Sequence, residues 1–265
     1  MKYPDFEGVE FISSMKSDWR VQDKILRYDV VFIVFDSEIG DEMAFALQLA
    51  GQARAAGILT LGICCVEDPM ASDASQRWQI LEQLRSNVDA LAIVANANNP
   101  SIVSQELEMK LPDSIADECR SIVHALSYIF SHRSYVGIDF EDVREVLSGS
   151  SYAAIGAGHA QGANRGVIAC NYAIQDLTNK GIDLRGAHGV SVKISGHQAS
   201  LDDFSDAMEY LESLVLQECR IVAAAYWEDV SVDESLSITI LVSGLTRESV
   251  ATMVDGSAVV VKTAP

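Results

Sequence analysis

Apolar runs and helical segments alternate through the first part of the chain. The run from Asp29 to Phe35 is apolar at nearly every position, which is typical of a strand buried on both faces. The pattern predicts three strands and two helices, in the order strand 29–35, helix 41–56, strand 58–66, helix 72–87 and strand 89–95. Strands that alternate with helices predict right-handed crossovers and a parallel sheet.

The rest of the chain has a different rhythm. A helix predicted at 113–132 has apolar residues every three or four positions, which gives it one buried and one solvent-exposed face. Such a helix could connect the two halves of the molecule. The pattern then predicts helix 139–147, strand 151–158, helix 164–178, strand 187–195, helix 200–216 and strands 220–227 and 236–242, the last two joined by an acidic turn. The fold class is therefore α/β, with a parallel portion followed by a smaller mixed one.

Charge narrows the possible partners. The net charge is −19, from 19 basic and 38 acidic residues, which repels phosphate backbones and anionic lipid. No apolar run approaches the roughly 18 residues that a membrane helix needs, and Met1–Glu10 lacks a signal-peptide pattern. We expect a cytoplasmic protein that binds no nucleic acid and inserts in no membrane.

The thiols and imidazoles form no ligand pattern. The five cysteines lie in apolar stretches without a C-x-x-C pair, and the five histidines lack H-E-x-x-H spacing. The sequence predicts buried free thiols and no metal site.

Three segments in the middle of the chain carry a specific pattern. Residues 135–144 read YVGIDFEDVR, residues 154–165 read AIGAGHAQGANR, and residues 183–190 read DLRGAHGV. In this order they resemble the tubulin/FtsZ superfamily, and the bacterial cell-division protein FtsZ in particular. The first resembles its synergy loop, and the second resembles the strand and turn that open its C-terminal domain. The resemblance covers about residues 8–244.

The resemblance implies a division of the chain. Residues 1–111 correspond to a truncated, Rossmann-like nucleotide domain on a parallel sheet, and residues 112–132 to a long central helix. Residues 133–265 correspond to a smaller α/β C-terminal domain with a mixed sheet, which begins with the synergy-like loop 133–142.

The segment 36–42 departs from the family's nucleotide signature. Glycines let backbone N–H groups approach phosphate, and the family has Gly-Gly-Gly-Thr-Gly-Thr-Gly here. This chain reads DSEIGDE, with one glycine and four carboxylates that oppose a polyphosphate. Acidic residues at a helix start stabilise that helix, which is the simpler interpretation; a Mg²⁺ site is the alternative.

Other nucleotide contacts of the family are also replaced. The family's first glycine-rich turn has no counterpart in this sequence, and Met15–Asp18 stands where the family has Asn-Thr-Asp. Pro112 and Ala116 stand in place of the phenylalanine that stacks on guanine and the aspartate that reads it. We therefore expect no GTP and no other cofactor, and a pseudo-GTPase rather than an enzyme.

Asp139 and Asp142 match the synergy-loop carboxylates. In the family these act in trans, helping to position the water that hydrolyses the neighbouring subunit's GTP, so the resemblance implies catalytic residues Asp139 and Asp142. Gly137 replaces an asparagine of the motif. A structural interpretation is equally open, because Asp139 is placed to cap the next helix and Asp142 lies near its first N–H groups.

The retained and lost features suggest a hypothesis. A subunit with a synergy face and no nucleotide face adds to one end of a head-to-tail filament and blocks growth there. The expected partner is an FtsZ-like homologue or the chain itself. An unusual self-assembling GTPase, a nucleotide-independent scaffold and a missing N-terminal segment remain as alternatives.

Two further segments have open interpretations. His159 and Asn164 flank a glycine-rich turn, which forms either a small pocket between domains or, as we favour, a loop that caps the next helix through Asn164. Residues 257–261 favour an added strand, and the tryptophans are expected in the core or between domains.

Overall fold

The described residues form one seven-stranded sheet with helices on both faces. The computed structural model describes residues 25, 27–36, 40–66, 74–95, 123, 136, 138–149, 151–196, 199–227 and 235–255. The strands are β1 Val30–Asp36, β2 Leu59–Val66, β3 Ala90–Ala95, β4 Ser151–Gln161, β5 Gly189–Gly196, β6 Arg220–Trp227 and β7 Ser235–Leu245. The helices are α1 Gly40–Ala55, α2 Ala74–Arg85, α3 Phe140–Leu147, α4 Arg165–Asn179, α5 Leu201–Glu212 and α6 Arg247–Asp255, with a 3-10 turn at Leu184–Gly186.

Strand order divides the sheet into a parallel and a mixed portion. The order is β1-β2-β3-β4-β7-β5-β6. Strands β1 to β4 run parallel, whereas β7 is antiparallel to both of its neighbours, β4 and β5. The predicted α/β class, with its parallel and mixed portions, is confirmed. The two portions meet where β3 pairs with the first residues of β4, Ser151–Ala153.

The predicted boundaries of the central helix lie outside the described residues. Within 112–132 the structure describes Val123 alone, which is helical and buried. The division into domains at 111 and 133 therefore stays a prediction.

Two hydrophobic cores lie on opposite faces of the sheet. One contains Trp78 of α2, Leu177 of α4, Leu211 of α5 and Val254 of α6. The other contains Ile63 of β2 and the apolar face of α3. Strand β2 is buried along its whole length, as its apolar run predicts for an interior parallel strand.

Helix α4 packs with its backbone directly against β4, where two glycines face it. A Cβ atom on Gly158 would lie 2.0 Å from the carbonyl oxygen of Ala169 and 2.5 Å from the nitrogen of Ala173. A Cβ atom on Gly156 would lie 2.3 Å from the carbonyl oxygen of Ala173. Glycine thus sets the distance between strand and helix here.

Helix α6 was not predicted from the sequence. It follows Gly244, whose φ of +77° is strained for residues with a Cβ atom and therefore favours glycine. Buried Arg77 of α2 donates from Nη1 to the carbonyl oxygen of Val254 at 2.6 Å, and Nε1 of Trp78 donates to Asp255 at 2.8 Å. These long-range bonds, together with buried Val254, fasten α6 against the parallel portion of the sheet.

The strand pairing corrects one detail of the sequence interpretation and adds another. β4 and β7 are longer than predicted, since their antiparallel pairing extends from Tyr152 with Leu245 to Gln161 with Ser235. β6 and β7 follow each other in the chain but are not neighbours, because β5 lies between them.

The described cysteines are free thiols. Cys64, Cys65 and Cys170 are buried and Cys219 is half-buried. Burial raises the pKa of the Cys170 thiol to about 12, which keeps it protonated and unreactive.

An ion pair between Arg165 and Asp203 links α4 to α5 and predicts sensitivity to acid. The guanidinium donates to the carboxylate at 2.8 Å, and both side chains are nearly buried. Burial would raise the pKa of Asp203, but the bonds from Arg165 and Ser200 outweigh it, so the pKa is lowered. A carboxyl with a lowered folded-state pKa stabilises the protein above its unfolded pKa, and that stability is lost as pH falls through the lowered value.

We therefore expect Asp203→Asn to lower the free energy of unfolding by about 2 kcal/mol at neutral pH, since hydrogen bonds to charged groups contribute roughly 1.5–3 kcal/mol. Its stability should also fall less on acidification than that of the wild type. Urea unfolding from pH 7 to pH 3 tests both points. Asp202→Asn, an exposed neighbour in the same turn, is the matched control; equal slopes for all three proteins would contradict the prediction.

Candidate functional site

Helix α3 presents a row of carboxylates. Asp139 is its N-cap residue, with extended φ and ψ, and its Oδ1 accepts from the Glu141 N–H at 3.2 Å. Asp142 and Glu145 follow at three-residue intervals, and both are exposed. Because residues three apart lie on one helix face, Asp139, Asp142 and Glu145 form an acidic row. The capping prediction for Asp139 is confirmed.

Packing fixes the orientation of α3. Val143, Val146 and Leu147 are buried against the sheet. At the end of the helix, Ser243 Oγ of β7 donates to the carbonyl oxygen of Val146. These contacts hold the acidic row on a rigid element that faces away from the core.

Arg144 ties the same helix to the parallel portion of the sheet. Its guanidinium lies 4.9 Å from the Phe140 ring centroid and donates to the carbonyl oxygen of Gly57 at 3.1 Å. The position of the synergy-like helix is thus coupled to the turn that follows α1.

A groove of about 460 Å³ runs between α3 and the edge strand β6. Its lining residues come from the loop before α3, from α3 itself and from β6: Ile138, Asp142, Glu145, Arg220, Ile221, Val222 and Ala223. Arg220 and Glu145 form an ion pair at its rim. Asp142 was predicted from sequence, whereas Glu145 and Arg220 were missed. Glu145 could have been found from its spacing to Asp142; Arg220 has no local signal.

Among the described residues of the loop before α3, Val136 pairs with the outer edge of β6. Val136 and Ala225 exchange two backbone hydrogen bonds, of 3.2 and 3.4 Å, in an isolated antiparallel bridge. This bridge holds the chain against β6 two residues before Ile138, which lines the groove.

The segment 36–42 is described only in its backbone, and in part. β1 ends at Asp36 and α1 begins at Gly40, so Asp41 and Glu42 belong to the first turn of a helix, in line with the simpler sequence interpretation. The side chains here, as well as Met15–Asp18, Pro112 and Ala116, lie outside the described residues. The expectation that GTP does not bind stays a prediction.

The turn after β4 differs from its predicted capping role. Asn164 occupies the N-cap position of α4 with φ 59° and ψ 22°, and its side chain makes no cap hydrogen bond. A side-chain cap requires extended backbone at this position, and the left-handed conformation turns the amide away. His159 Nδ1 lies 3.0 Å from Ser237 Oγ across the β4–β7 pair, which gives it a structural partner.

Neither a metal cluster nor a membrane-spanning helix occurs among the described residues. Within the ranges given above, no group of three or more histidine, cysteine or acidic side chains could hold a metal ion. Among the helices of this same part of the chain, none has the length and apolarity to cross a bilayer.

Comparison with known proteins assigns the family. The model of the FtsZ family C-terminal domain matches residues 151–246, which include β4 to β7. Cell division protein FtsZ 2 of Rhizobium meliloti is 30% identical over 203 residues, covering 74% of this chain and 58% of that protein. The FtsZ of Azotobacter vinelandii is 27% identical over 239 residues, covering 88% of this chain and 60% of that protein.

The chain is a divergent member of the tubulin/FtsZ superfamily. Solved structures agree with this FtsZ-like fold. An FtsZ variant of M. jannaschii superposes with a TM-score of 0.72 at 20% identity, covering 86% of this chain and 69% of that one. CetZ1 of Haloferax volcanii, solved with GDP, gives a TM-score of 0.59 at 13% identity, with 86% and 70% covered. This FtsZ-like chain spans about 60% or less of the length of the curated relatives above.

The cap of α3 yields a prediction for the FtsZ-like chain. Replacing Asp139 by alanine removes the acceptor of the Glu141 N–H and should lower the free energy of unfolding by about 1 kcal/mol. Asp139→Asn should be nearly neutral, because asparagine caps as well as aspartate. Guanidinium unfolding compares the two; equal losses in both variants would show that charge, and not capping, is what Asp139 contributes.

Proposed function

We propose that this chain is an FtsZ-like pseudo-GTPase, a cytoskeletal or cell-division-related module that binds one end of filaments of an active homologue and limits growth there. The observation that carries the proposal is the acidic row Asp139, Asp142 and Glu145, which lies at the surface of a helix that is rigidly packed. By the sequence resemblance, Asp139 and Asp142 of this row correspond to the family's synergy carboxylates. The sequence at 36–42 keeps one of the glycines with which the family binds phosphate and has four carboxylates.

The physical basis is an interface with two unlike sides. A head-to-tail filament grows because each subunit offers both sides, and the contact repeats. A subunit with the α3 side but no nucleotide on its other side binds to a filament end. Because its other side cannot accept a further subunit, growth at that end stops. The FtsZ of M. jannaschii solved as an empty dimer, at TM-score 0.72 and 20% identity, shares this fold. Its dimeric state supports association as the activity to test.

Sedimentation with an FtsZ homologue from the same cell tests the proposal. We expect this chain to lower the mass of pelleted polymer at substoichiometric ratios in the presence of GTP. Asp142→Asn should abolish the effect, whereas Asp206→Asn, an exposed carboxylate on α5, should leave it intact. If polymer mass and length stay unchanged when this chain and the homologue are present at equal concentrations, the capping role is contradicted.

Calorimetry with GTP and Mg²⁺ separately tests the proposal that the chain does not bind GTP. We expect no heat of binding at high micromolar protein concentration. Guanine-specific binding would instead favour a self-assembling FtsZ-like GTPase, and the segment 36–42 would then be the first place to look for a metal–phosphate site.

A further inference from the structure

The outer edge of β6 offers backbone hydrogen-bonding groups to the groove. The N–H and C=O of Ala225 point away from β5, since they bond to Val136, whereas the N–H of Arg220 bonds to the carbonyl oxygen of His188 on the β5 side at 3.0 Å. Because these groups alternate in direction along a strand, those of Ile221 and Ala223 also point outward. In the described part of the chain, nothing bonds to them.

Two apolar residues lie at the base of the groove, and two carboxylates lie on its helical wall. Val222 and Ile138 are half-buried and pack with the core beneath α3. Glu145 is already paired with Arg220, while none of the described residues forms an ion pair with Asp142. An extended segment fits this groove if it adds backbone bonds to β6, has small apolar side chains and carries a basic residue.

The chain contains a segment of this composition. Residues 257–262 read SAVVVK, a run of high β-propensity that ends in a lysine. The apolar side chains suit the floor of the groove, and Lys262 complements Asp142.

A molecule cannot place this segment in its own groove. Helix α6 ends at Asp255, which is bonded to Trp78 of α2, on the face of the sheet opposite α3. β6 lies three strand intervals beyond β4, or about 14 Å at about 4.8 Å each, and the path also rounds the edge of the sheet. The two residues from Asp255 to Ser257 span at most about 7 Å. Donor and groove must therefore belong to different molecules.

We propose that the segment 257–262 of one copy adds as a strand to the outer edge of β6 in a second copy, with Lys262 against Asp142. The donor and the groove are different surfaces, so the contact is heterologous and repeats into open head-to-tail chains. It requires neither nucleotide nor a homologue and so goes beyond the function proposed above. The two contacts share Asp142 and exclude each other.

Charge exchange on the full-length chain tests the contact. In sedimentation velocity without nucleotide, the mean mass of the wild type should rise with concentration. Asp142→Lys and Lys262→Glu should each weaken association by about tenfold or more, because each places like charges together, and the double variant should recover it. Asp206→Lys on α5 is the control with the same charge change. A wild type that stays monomeric up to several hundred micromolar, or a double variant without recovery, overturns the proposal.

Mixing two full-length variants tests the directionality. The Asp142→Lys variant has an intact donor segment 257–262 but a groove that no longer accepts it. The Val260→Asp variant has an intact groove but a donor segment that no longer binds. Each should be monomeric alone, and an equimolar mixture should form dimers and nothing longer. Chains longer than dimers in the mixture would contradict a single head-to-tail contact.

A synthetic peptide separates backbone addition from charge attraction. The peptide GSAVVVKTAP should bind the full-length Val260→Asp variant, and N-methylation at alternate residues of the valine run should abolish binding because it removes the strand's hydrogen bonds. Equal binding of both peptides would show a contact that is not strand addition. These results are independent of the filament and GTP experiments, so either proposal can fail alone.

Discussion

Replacing Gly158 by alanine is expected to lower the free energy of unfolding by about 3 kcal/mol or more. The added Cβ would meet the backbone of α4, at 2.0 Å from the Ala169 carbonyl oxygen and 2.5 Å from the Ala173 nitrogen. Backbone atoms of a packed helix cannot rotate aside as a side chain can. The helix must move off β4, which loosens the core on that face of the sheet.

Gly186→Ala is the matched control for this substitution. Gly186 is exposed, its φ is not positive, and no heavy atom lies within 4 Å of the place that a Cβ atom would occupy. Its effect should stay within about 0.5 kcal/mol. Urea unfolding followed by circular dichroism measures both; a Gly158→Ala protein as stable as the control would show that α4 shifts at little cost.

Trp78→Ala should cost about 4 kcal/mol, the range for deleting a buried tryptophan. The indole is 4% exposed and packs edge-on against Tyr152, with ring centroids 6.0 Å apart. Arg247 of α6 lies 4.3 Å above it, and Asp255 accepts its N–H. The alanine variant therefore opens a cavity and also releases α6 from α2.

Trp78→Phe and Asp255→Ala divide these contributions. Each removes the hydrogen bond while keeping most of the packing, so each should cost about 1 kcal/mol, and the double variant should cost less than their sum. Hydrogen exchange adds a local readout, since the amides of α6 should exchange faster in all variants that lose the bond. If the losses in free energy of unfolding are additive and amide exchange in α6 is unchanged, the bond between Trp78 and Asp255 does not hold α6 in place.

The same region holds a polar network that links the two portions of the sheet. The Tyr152 hydroxyl at the start of β4 donates to Glu82 of α2 at 2.9 Å, and Arg85 pairs with Glu82 at 2.8 Å. Burial, followed by the bond to Glu82, raises the pKa of Tyr152 above its usual range, so the hydroxyl stays protonated and keeps donating. β4 pairs with β3 at three residues, Ser151 to Ala153, and these contacts add to that pairing in joining the two portions.

Local sequence signals determined the elements of this fold. β1 and β2 were predicted because strands that are buried on both faces need apolar residues at every position. The cap at Asp139 was predicted because an acceptor side chain before a helix satisfies its first N–H groups wherever the helix lies. The ordered motifs at 135–144, 154–165 and 183–190 indicated the FtsZ-like family, which the comparisons confirm.

Tertiary structure alone decided how distant elements meet. The sequence placed β6 and β7 as consecutive strands, but the insertion of β5 between them depends on pairing across the whole sheet. α6 was missed because the partners that stabilise it, Arg77 and Trp78, lie far away in the chain. The groove, with Arg220 beside Glu145, exists only because α3 packs along the edge strand. Periodicity and capping act over a few residues and can be read locally, whereas pairing order and surface shape follow from contacts between segments that the sequence does not place side by side.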